Sequence, residues 1–249
     1  MELIIDAGNT NIKYALIDQG KIVRTHRFKS ASDSAFAVER DIFLKDVDLN
    51  GIDGIIFSSV VPSLNERILD SFRDIPVEPF IINGHVKSHI KMSEIIMDEI
   101  GADLMCVCEA AYQLNGKKAV MALSLGTASV LLVIGDDGSL LNSLIYPGLV
   151  SGSSSLFGNT ELLESVELNA VDKLVAQNTK EALLSGIVFS YIGALKYLIR
   201  ENEEYFGHDF TVYACGGIAH VIGDKVEEID IYDDDLIYKG AMMLWEMNR

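Results

Sequence analysis

One strand-turn-strand pattern occurs twice in this chain, and that repetition limits its fold more than any other feature. In the first copy, apolar runs at 3–5 and 12–17 flank Asp6-Ala7-Gly8-Asn9-Thr10, and Gln19-Gly20 ends the second run. In the second copy, runs at 123–125 and 130–134 flank Gly126-Thr127-Ala128, with Gly126 falling on Gly8 and Gly138 on Gly20 at one constant offset. A duplication of this kind predicts an α/β fold of two similar lobes, residues 1–115 and 116–249, divided at Asn115-Gly116-Lys117-Lys118. Each lobe then opens with a strand-turn-strand that presents its loop to a shared cleft.

The first turn is the candidate active site. Gly8 has no Cβ and lets backbone approach a ligand, Asn9 and Thr10 with the nearby amides supply neutral donors, and Lys13 supplies a cation. Asp6 ends the first strand, where it is placed to hold Mg²⁺ directly or through water. Taken alone, an ordinary hairpin with a polar tip accounts for these residues equally well. The second copy points further, to two loops gripping the phosphates of a nucleotide. In that copy Ser124 stands where the first has Asp6.

A net charge of −17 argues against a nucleic-acid groove or an anionic membrane surface, since both need clustered Lys and Arg. It does not exclude ATP, which a few amides and one divalent ion can bind. Cys106, Cys108 and Cys215 form no Cys-x-x-Cys pair and are odd in number, so neither a zinc ribbon nor a disulfide framework is expected, and a reduced, cytoplasmic setting fits. No leader pattern opens the chain, and no apolar run reaches the ~18 residues of a membrane span.

Along the chain, residues 21–29 read as a strand with Arg24 and His26 on one face and Val23 and Thr25 on the other. Residues 30–48 read as a helix capped by Ser32, residues 55–61 as a strand, Pro62 as the start of a helix and residues 77–82 as a strand. His85 and His89 have the spacing of a helical metal pair, but Gly84 precedes them and no carboxylate is fixed beside them, which favours loop histidines. Asp103 falls in the first turn of the next helix, where the dipole keeps it ionised; a plain helix cap is the alternative. Ser151-Gly152-Ser153-Ser154-Ser155 is a mobile segment, lies over phosphates or serves as plain linker, and a helix is expected at 156–166. Asn178-Thr179 caps the longest helix, 180–202, in which Gly186 and Gly193 permit close approach by another lobe or subunit. A strand at 210–215 empties into Gly216-Gly217, a turn against which a base or ribose can lie, and a helix bearing Trp245 closes the chain.

These residues in their order resemble the type III pantothenate kinases. The resemblance rests on Asp6-Ala7-Gly8-Asn9-Thr10, Ser59-Val60-Val61-Pro62, Gly101-Ala102-Asp103, Leu125-Gly126-Thr127-Ala128, Tyr146-Pro147-Gly148-Leu149, Asn178-Thr179 with Ser185-Gly186, and Cys215-Gly216-Gly217-Ile218-Ala219. It implies two ribonuclease-H-like lobes with a cleft between them, the fold shared by acetate and sugar kinases, heat-shock chaperone ATPases and actin. It implies transfer of the ATP γ-phosphoryl group to pantothenate, giving 4'-phosphopantothenate on the route to coenzyme A. Asp6 through Lys13 would then cradle phosphates and Mg²⁺, with Gly126 and Thr127 reaching the nucleotide from the other lobe. Gly101, Ala102 and Asp103 would belong to the acceptor pocket, with Asp103 as proton acceptor and Thr179 of a neighbouring subunit touching pantothenate. Family members form dimers.

The chain departs from the pattern in three places. Leu104 stands where the family has an Arg that binds the pantothenate carboxylate, and Ser124 where it has an Asp that helps bind K⁺ or NH₄⁺. The family's Tyr and Asn-Pro are absent from 93–99. These departures keep other expectations open: a heterodimer in which a related chain supplies the Arg and Asp, a non-catalytic regulatory or accessory protein, or a kinase of another small alcohol that faces Leu104.

Overall fold

The computed structural model describes residues 1–31, 34–158 and 171–249. They form two compact units, Met1–Ala110 with Ile237–Arg249, and Ala111–Leu236. The first unit holds a five-stranded sheet of β1 (Glu2–Ala7), β2 (Asn11–Asp18), β3 (Lys21–Lys29), β4 (Gly54–Ser59) and β5 (Pro79–Ile81), in the order β3-β2-β1-β4-β5. β1, β2 and β3 are antiparallel neighbours, whereas β1, β4 and β5 run parallel.

Helices α1 (Phe36–Phe43) and α2 (Pro62–Asp70) cover one face of this sheet, burying Leu3, Ile5, Tyr14 and Phe57. The other face carries Ile4, Ala15, Ile17 and Ile56, packed against α4 (Ala102–Leu114) and α8 (Leu236–Asn248). Burial on both sides explains why β1 and β4 read as continuous apolar runs rather than as alternating ones. A short helix, α3 (Glu94–Glu99), is capped by the Ser93 hydroxyl on the Ile96 amide.

The second unit repeats the plan with β6 (Val120–Leu125), β7 (Ala128–Ile134), β8 (Leu140–Pro147), β9 (Thr211–Cys215) and β10 (Ile231–Tyr232), ordered β10-β9-β6-β7-β8. Read from the three-stranded antiparallel side, the two sheets have the same succession of strands, so the sequence repeat corresponds to a repeat of structure. The offset is not constant throughout. Ala7 pairs with Ile12 but Leu125 with Ser129, so the second turn is one residue tighter. The longer connection from Ile134 to Leu140, against the two-residue turn between Asp18 and Lys21, restores the register. Gln19 and Gly20, both at positive φ, make that two-residue turn.

Four expectations are corrected here. The closing helix packs within the first unit rather than with residues 116–236: Trp245 lies where a Cβ on Gly54 would fall at 2.9 Å, and Gly240 sits on the Cys106 carbonyl. The serine run is not linker, since α5 (Leu149–Gly158) begins before it and the hydroxyls of Ser151, Ser153 and Ser154 turn back onto the helix backbone, as Ser154 does onto the Ser151 carbonyl at 2.7 Å. The long helix 30–48 shrinks to α1, followed by a turn of 3-10 helix at Leu49–Gly51. The Ser32 cap and most of the helix expected at 156–166 fall outside the described residues. Contrary to the expectation that no stretch is apolar over the length of a membrane span, α6 (Thr179–Phe206), capped by the Asn178 carboxamide on the Glu181 amide, is long and apolar enough to cross a membrane by length and composition. One face of it, including Val188, Ile192, Leu195 and Ile199, is core of the second unit. A four-residue helix, α7 (Ala219–Ile222), follows β9.

Candidate active site

Strand pairing brings the polar residues of the first unit into one row. Asp6 on β1 is directly opposite Lys13 on β2 and Ser58 on β4, so the three side chains share a face of the sheet. The Lys13 ammonium donates to Asp6 Oδ2 at 3.3 Å and the Ser58 hydroxyl to Oδ1 at 3.4 Å. Asp6 is 4% exposed, so this carboxylate is held from both sides in a largely dry setting. Both contacts are long for charge-assisted or hydroxyl hydrogen bonds, which leaves its lone pairs open to a further ligand.

At the strand end, the Gly8 amide donates to the Asn11 carbonyl at 3.0 Å and the Ser30 hydroxyl to the Gly8 carbonyl at 2.6 Å. Asn9 and Thr10 are left exposed at the tip. A Cβ on Gly8 would lie 3.1 Å from the Asn11 carbonyl, so the tight turn itself asks for glycine.

Asp103 enters this group from α4. Its Oδ1 accepts from the Leu104 amide at 2.9 Å, and a Cβ on Gly101 would lie 2.6 Å from the same oxygen, so Gly101 makes room for the carboxylate. Burial first, and the nearby Asp6 charge second, raise the Asp103 carboxyl to about 6; the Leu104 amide and Lys13 pull the other way. The helix dipole therefore does not dominate, contrary to the expectation of a carboxylate fixed firmly in its ionised form. Desolvation acts over the whole charge, whereas the dipole falls off within a turn. A carboxyl titrating near 6 is still largely ionised at neutral pH and is a better proton acceptor than an ordinary aspartate.

Sequence reasoning missed two neighbours of this group. Ser58 precedes the quoted Ser59-Val60-Val61-Pro62 motif, and only the β1–β4 register shows that it faces Asp6. The Cys106 thiol lies under the group, in contact with Ser58 and pushed well above its usual range by burial and by the charges of Asp6 and Asp103. It is inert there.

The second unit gathers the other predicted residues. The Gly126 amide donates to the Ala128 carbonyl at 3.1 Å, repeating the Gly8 bond, and Gly126 and Thr127 are exposed at the tip. Two glycines support this turn from below. A Cβ on Gly148 would meet the Gly126 carbonyl at 2.2 Å, and one on Gly216, at φ +120°, would meet the Leu125 carbonyl at 2.2 Å. The Ser151 hydroxyl also bonds the Thr127 carbonyl. Gly217 is exposed just beyond Gly216. Ser124 and Val130 occupy the places that Asp6 and Lys13 hold in the first unit, so the second turn has neither the carboxylate nor the cation. A cavity of about 520 Å³ opens beside it, lined among others by Tyr146, Gly148, Ile187 and Tyr191. Thr179 is exposed as the first residue of α6.

The two histidines of the i, i+4 pair have separate carboxylate partners. His85 bonds Asp98 at 2.8 Å and His89 bonds Glu109 at 2.6 Å, each in a loop with its own carboxylate. Among the described residues no group of three or more His, Cys, Asp or Glu is arranged to hold a metal.

A sequence model of the family described as type III pantothenate kinase matches residues 2–201. A type III pantothenate kinase of Bifidobacterium adolescentis is 28% identical, over 99% of this chain and 98% of its own length. A solved structure described as a Baf-family transcriptional activator from Campylobacter jejuni matches with a TM-score of 0.58 at 18% identity, covering 99% of this chain and 98% of that one. MreB 5 of Spiroplasma citri, solved with AMPPNP bound, matches with a TM-score of 0.55 at 10% identity, covering 99% and 96%. These two likenesses are of fold, and the fold is that of the actin-like ATPases. The paired sheets, the glycine turns and the sequence match over most of the chain place it in one family: it belongs to the type III pantothenate kinases.

Proposed function

We propose that this chain transfers the γ-phosphoryl group of ATP to the primary hydroxyl of pantothenate. The observation that supports this most strongly is the convergence of Asp6, Lys13 and Asp103 beside the Gly8 turn of the first unit. Phosphoryl transfer asks a protein chiefly for positioning, charge neutralisation and a group to receive the proton. In this reading Asp103 takes the proton as the hydroxyl oxygen bonds to the γ-phosphorus and ADP leaves. Lys13 and the amides of Gly8, Asn9 and Thr10 balance phosphate charge, as do Gly126 and Thr127 of the second turn, and Gly216 and Gly217 lie against the base or ribose. Gly101 and Ala102 shape the start of α4 on the acceptor side.

Mg²⁺ fits Asp6. This ion is commonly held by one or two carboxylates together with substrate phosphates rather than by a cage of protein ligands, and the loosely engaged oxygens of Asp6 suit that arrangement. When bound it supplies neutralisation of phosphate charge. Ser124 supplies no carboxylate for K⁺ or NH₄⁺, so turnover is expected to depend little on the monovalent cation.

Thr179 reaches acceptor from a second chain in this reading. Support comes from α6, where Gly186, Ser190, Gly193 and Tyr197 form an exposed line along one face, and a Cβ on either glycine meets nothing within 4 Å. Leu104 and Ser124 favour a variant of the same reading in which the second chain is a related protein carrying the missing Arg and Asp. A coupled assay with ATP, Mg²⁺ and pantothenate tests both. Turnover by the chain alone supports the homodimer, and turnover only on adding a related chain supports the mixed pair. ATP binding with no phosphorylation in either format rejects the kinase.

A further inference from the structure

We infer that Arg27 is a second oxyanion-binding side chain of this site, working beside Lys13 on a phosphate or carboxylate of the substrates. The inference deepens the kinase reading and rests on it for the identity of the substrates. It begins from the register of the sheet. Ser58 on β4 is opposite Asp6 on β1, Asp6 opposite Lys13 on β2, and Lys13 opposite Arg27 on β3. Directly opposed residues point to the same face, so the four side chains form one row across four strands. The neighbours of Arg27 on β3 agree, since His26 and Phe28 pack with Tyr14 and Phe43 on the opposite face. Arg27 therefore stands on the face that carries Asp6 and the start of α4, two strand spacings or about 10 Å from Asp6.

Its guanidinium is uncommitted among the described residues. Lys13 is bound to Asp6, Arg24 caps the end of α1 through the Phe43 and Lys45 carbonyls, and Arg40 is held by Asp41 and Asp74. Arg27 is exposed, and among the described residues no carboxylate or carbonyl pairs with it. Edge strands do carry basic side chains to discourage pairing with other chains, and Lys21 and Lys29 on β3 are accounted for in that way. Only Arg27 lies in the row with Lys13 and Asp6. A planar five-donor fork with no partner among the described residues, next to a lysine and facing a site for phosphates, is suited to bidentate capture of an oxyanion. The terminal phosphate of the nucleotide and the carboxylate of the acceptor present the same chemistry to it.

The test compares wild type with Arg27→Gln, Arg27→Lys and, as a control of equal charge change on the same strand, Lys21→Gln. Calorimetry with ATP, tripolyphosphate and pantothenate reads binding, and a coupled assay reads KM for ATP and for pantothenate. Arg27→Gln is expected to weaken at least one ligand about tenfold or more, the scale of a lost charge-assisted contact, with an unchanged melting temperature. Arg27→Lys should recover part of that loss and Lys21→Gln should match wild type. A loss confined to ATP and tripolyphosphate assigns Arg27 to the phosphates, and one confined to pantothenate assigns it to the acceptor. Equal affinities in wild type and Arg27→Gln, or no binding of any probe to wild type, overturn the inference. A binding loss in Arg27→Gln without turnover by wild type upholds the Arg27 site and rejects the kinase reading; turnover with equal affinities does the reverse.

Discussion

Replacing Asp103 by Asn should stabilise the protein at neutral pH while removing its proton acceptor. The folded carboxyl titrates at about 6 against 3.8 for an ordinary aspartate, a rise of about 2 units. At ~1.36 kcal/mol per unit this is a ceiling of about 3 kcal/mol, and because Asp103 is partly exposed a gain of about 1–3 kcal/mol is expected. The sign follows from proton linkage. Between about 4 and 6 the folded state binds more protons than the unfolded chain, so stability falls as pH rises through that window. Above it the charged carboxylate carries the full penalty, and below it none. Asn keeps an acceptor for the Leu104 amide and carries no charge, so its advantage should be absent near pH 4 and complete by pH 7.5. Urea titrations at a series of pH values would show it as a midpoint shift of roughly 0.5–1 M. In an Asp6→Asn background the gain should shrink, because the second cause of the raised value is gone. A variant less stable than wild type at pH 7.5, or a difference that does not change between pH 4 and 8, would refute the reasoning.

Four further outcomes follow from the same geometry. The pH profile of kcat/KM should fall on the acid side with a midpoint near 6, since the free enzyme must hold Asp103 ionised; a limb near 4 would show that Asp6 and burial do not act on it. Gly148→Ala and Gly216→Ala should each destabilise the second unit by about 2 kcal/mol or more and weaken ATP binding, because each Cβ would enter the backbone of the Leu125-Gly126-Thr127 turn. Gly240→Ala should cost about 3 kcal/mol in chemical denaturation, as its Cβ would lie 1.9 Å from the Cys106 carbonyl and force α8 off α4. Gly186→Ala with Gly193→Ala should stabilise an isolated chain by about 0.5–1 kcal/mol per site through helix propensity, yet weaken association measured by light scattering if a second chain packs on that face.

The double turn was readable because a glycine at a tight strand end has few substitutes, and two such ends at one spacing are hard to produce otherwise. Asp6, Gly8 and Gly126 therefore stood out in the sequence. The fate of Asp103 did not, since the dipole argument uses only the helix, whereas its pKa depends first on burial by the surrounding fold and second on Asp6, from a strand nearly a hundred residues earlier. Ser58 and Arg27 were hidden for the same reason: each acquires its place from strand register, and no local pattern encodes which residues of β1, β2, β3 and β4 stand opposite. The placement of α8 in the first unit depends on Gly54 and Gly240 fitting Trp245 and Cys106, a matter of shape that amphipathic spacing leaves open. The serine run misleads because Ser disfavours helix interiors in general, but here the Ser151, Ser153 and Ser154 hydroxyls bond back to helix carbonyls.

The most direct test is a single comparison of purified wild type and Asp103→Asn, each given ATP, Mg²⁺ and pantothenate, with ATP affinity measured on the same samples. The account predicts 4'-phosphopantothenate from wild type, a loss of about a hundredfold or more in Asp103→Asn, and closely similar ATP binding by both. Undiminished phosphorylation by Asp103→Asn, or a wild-type chain that binds no ATP, would contradict it.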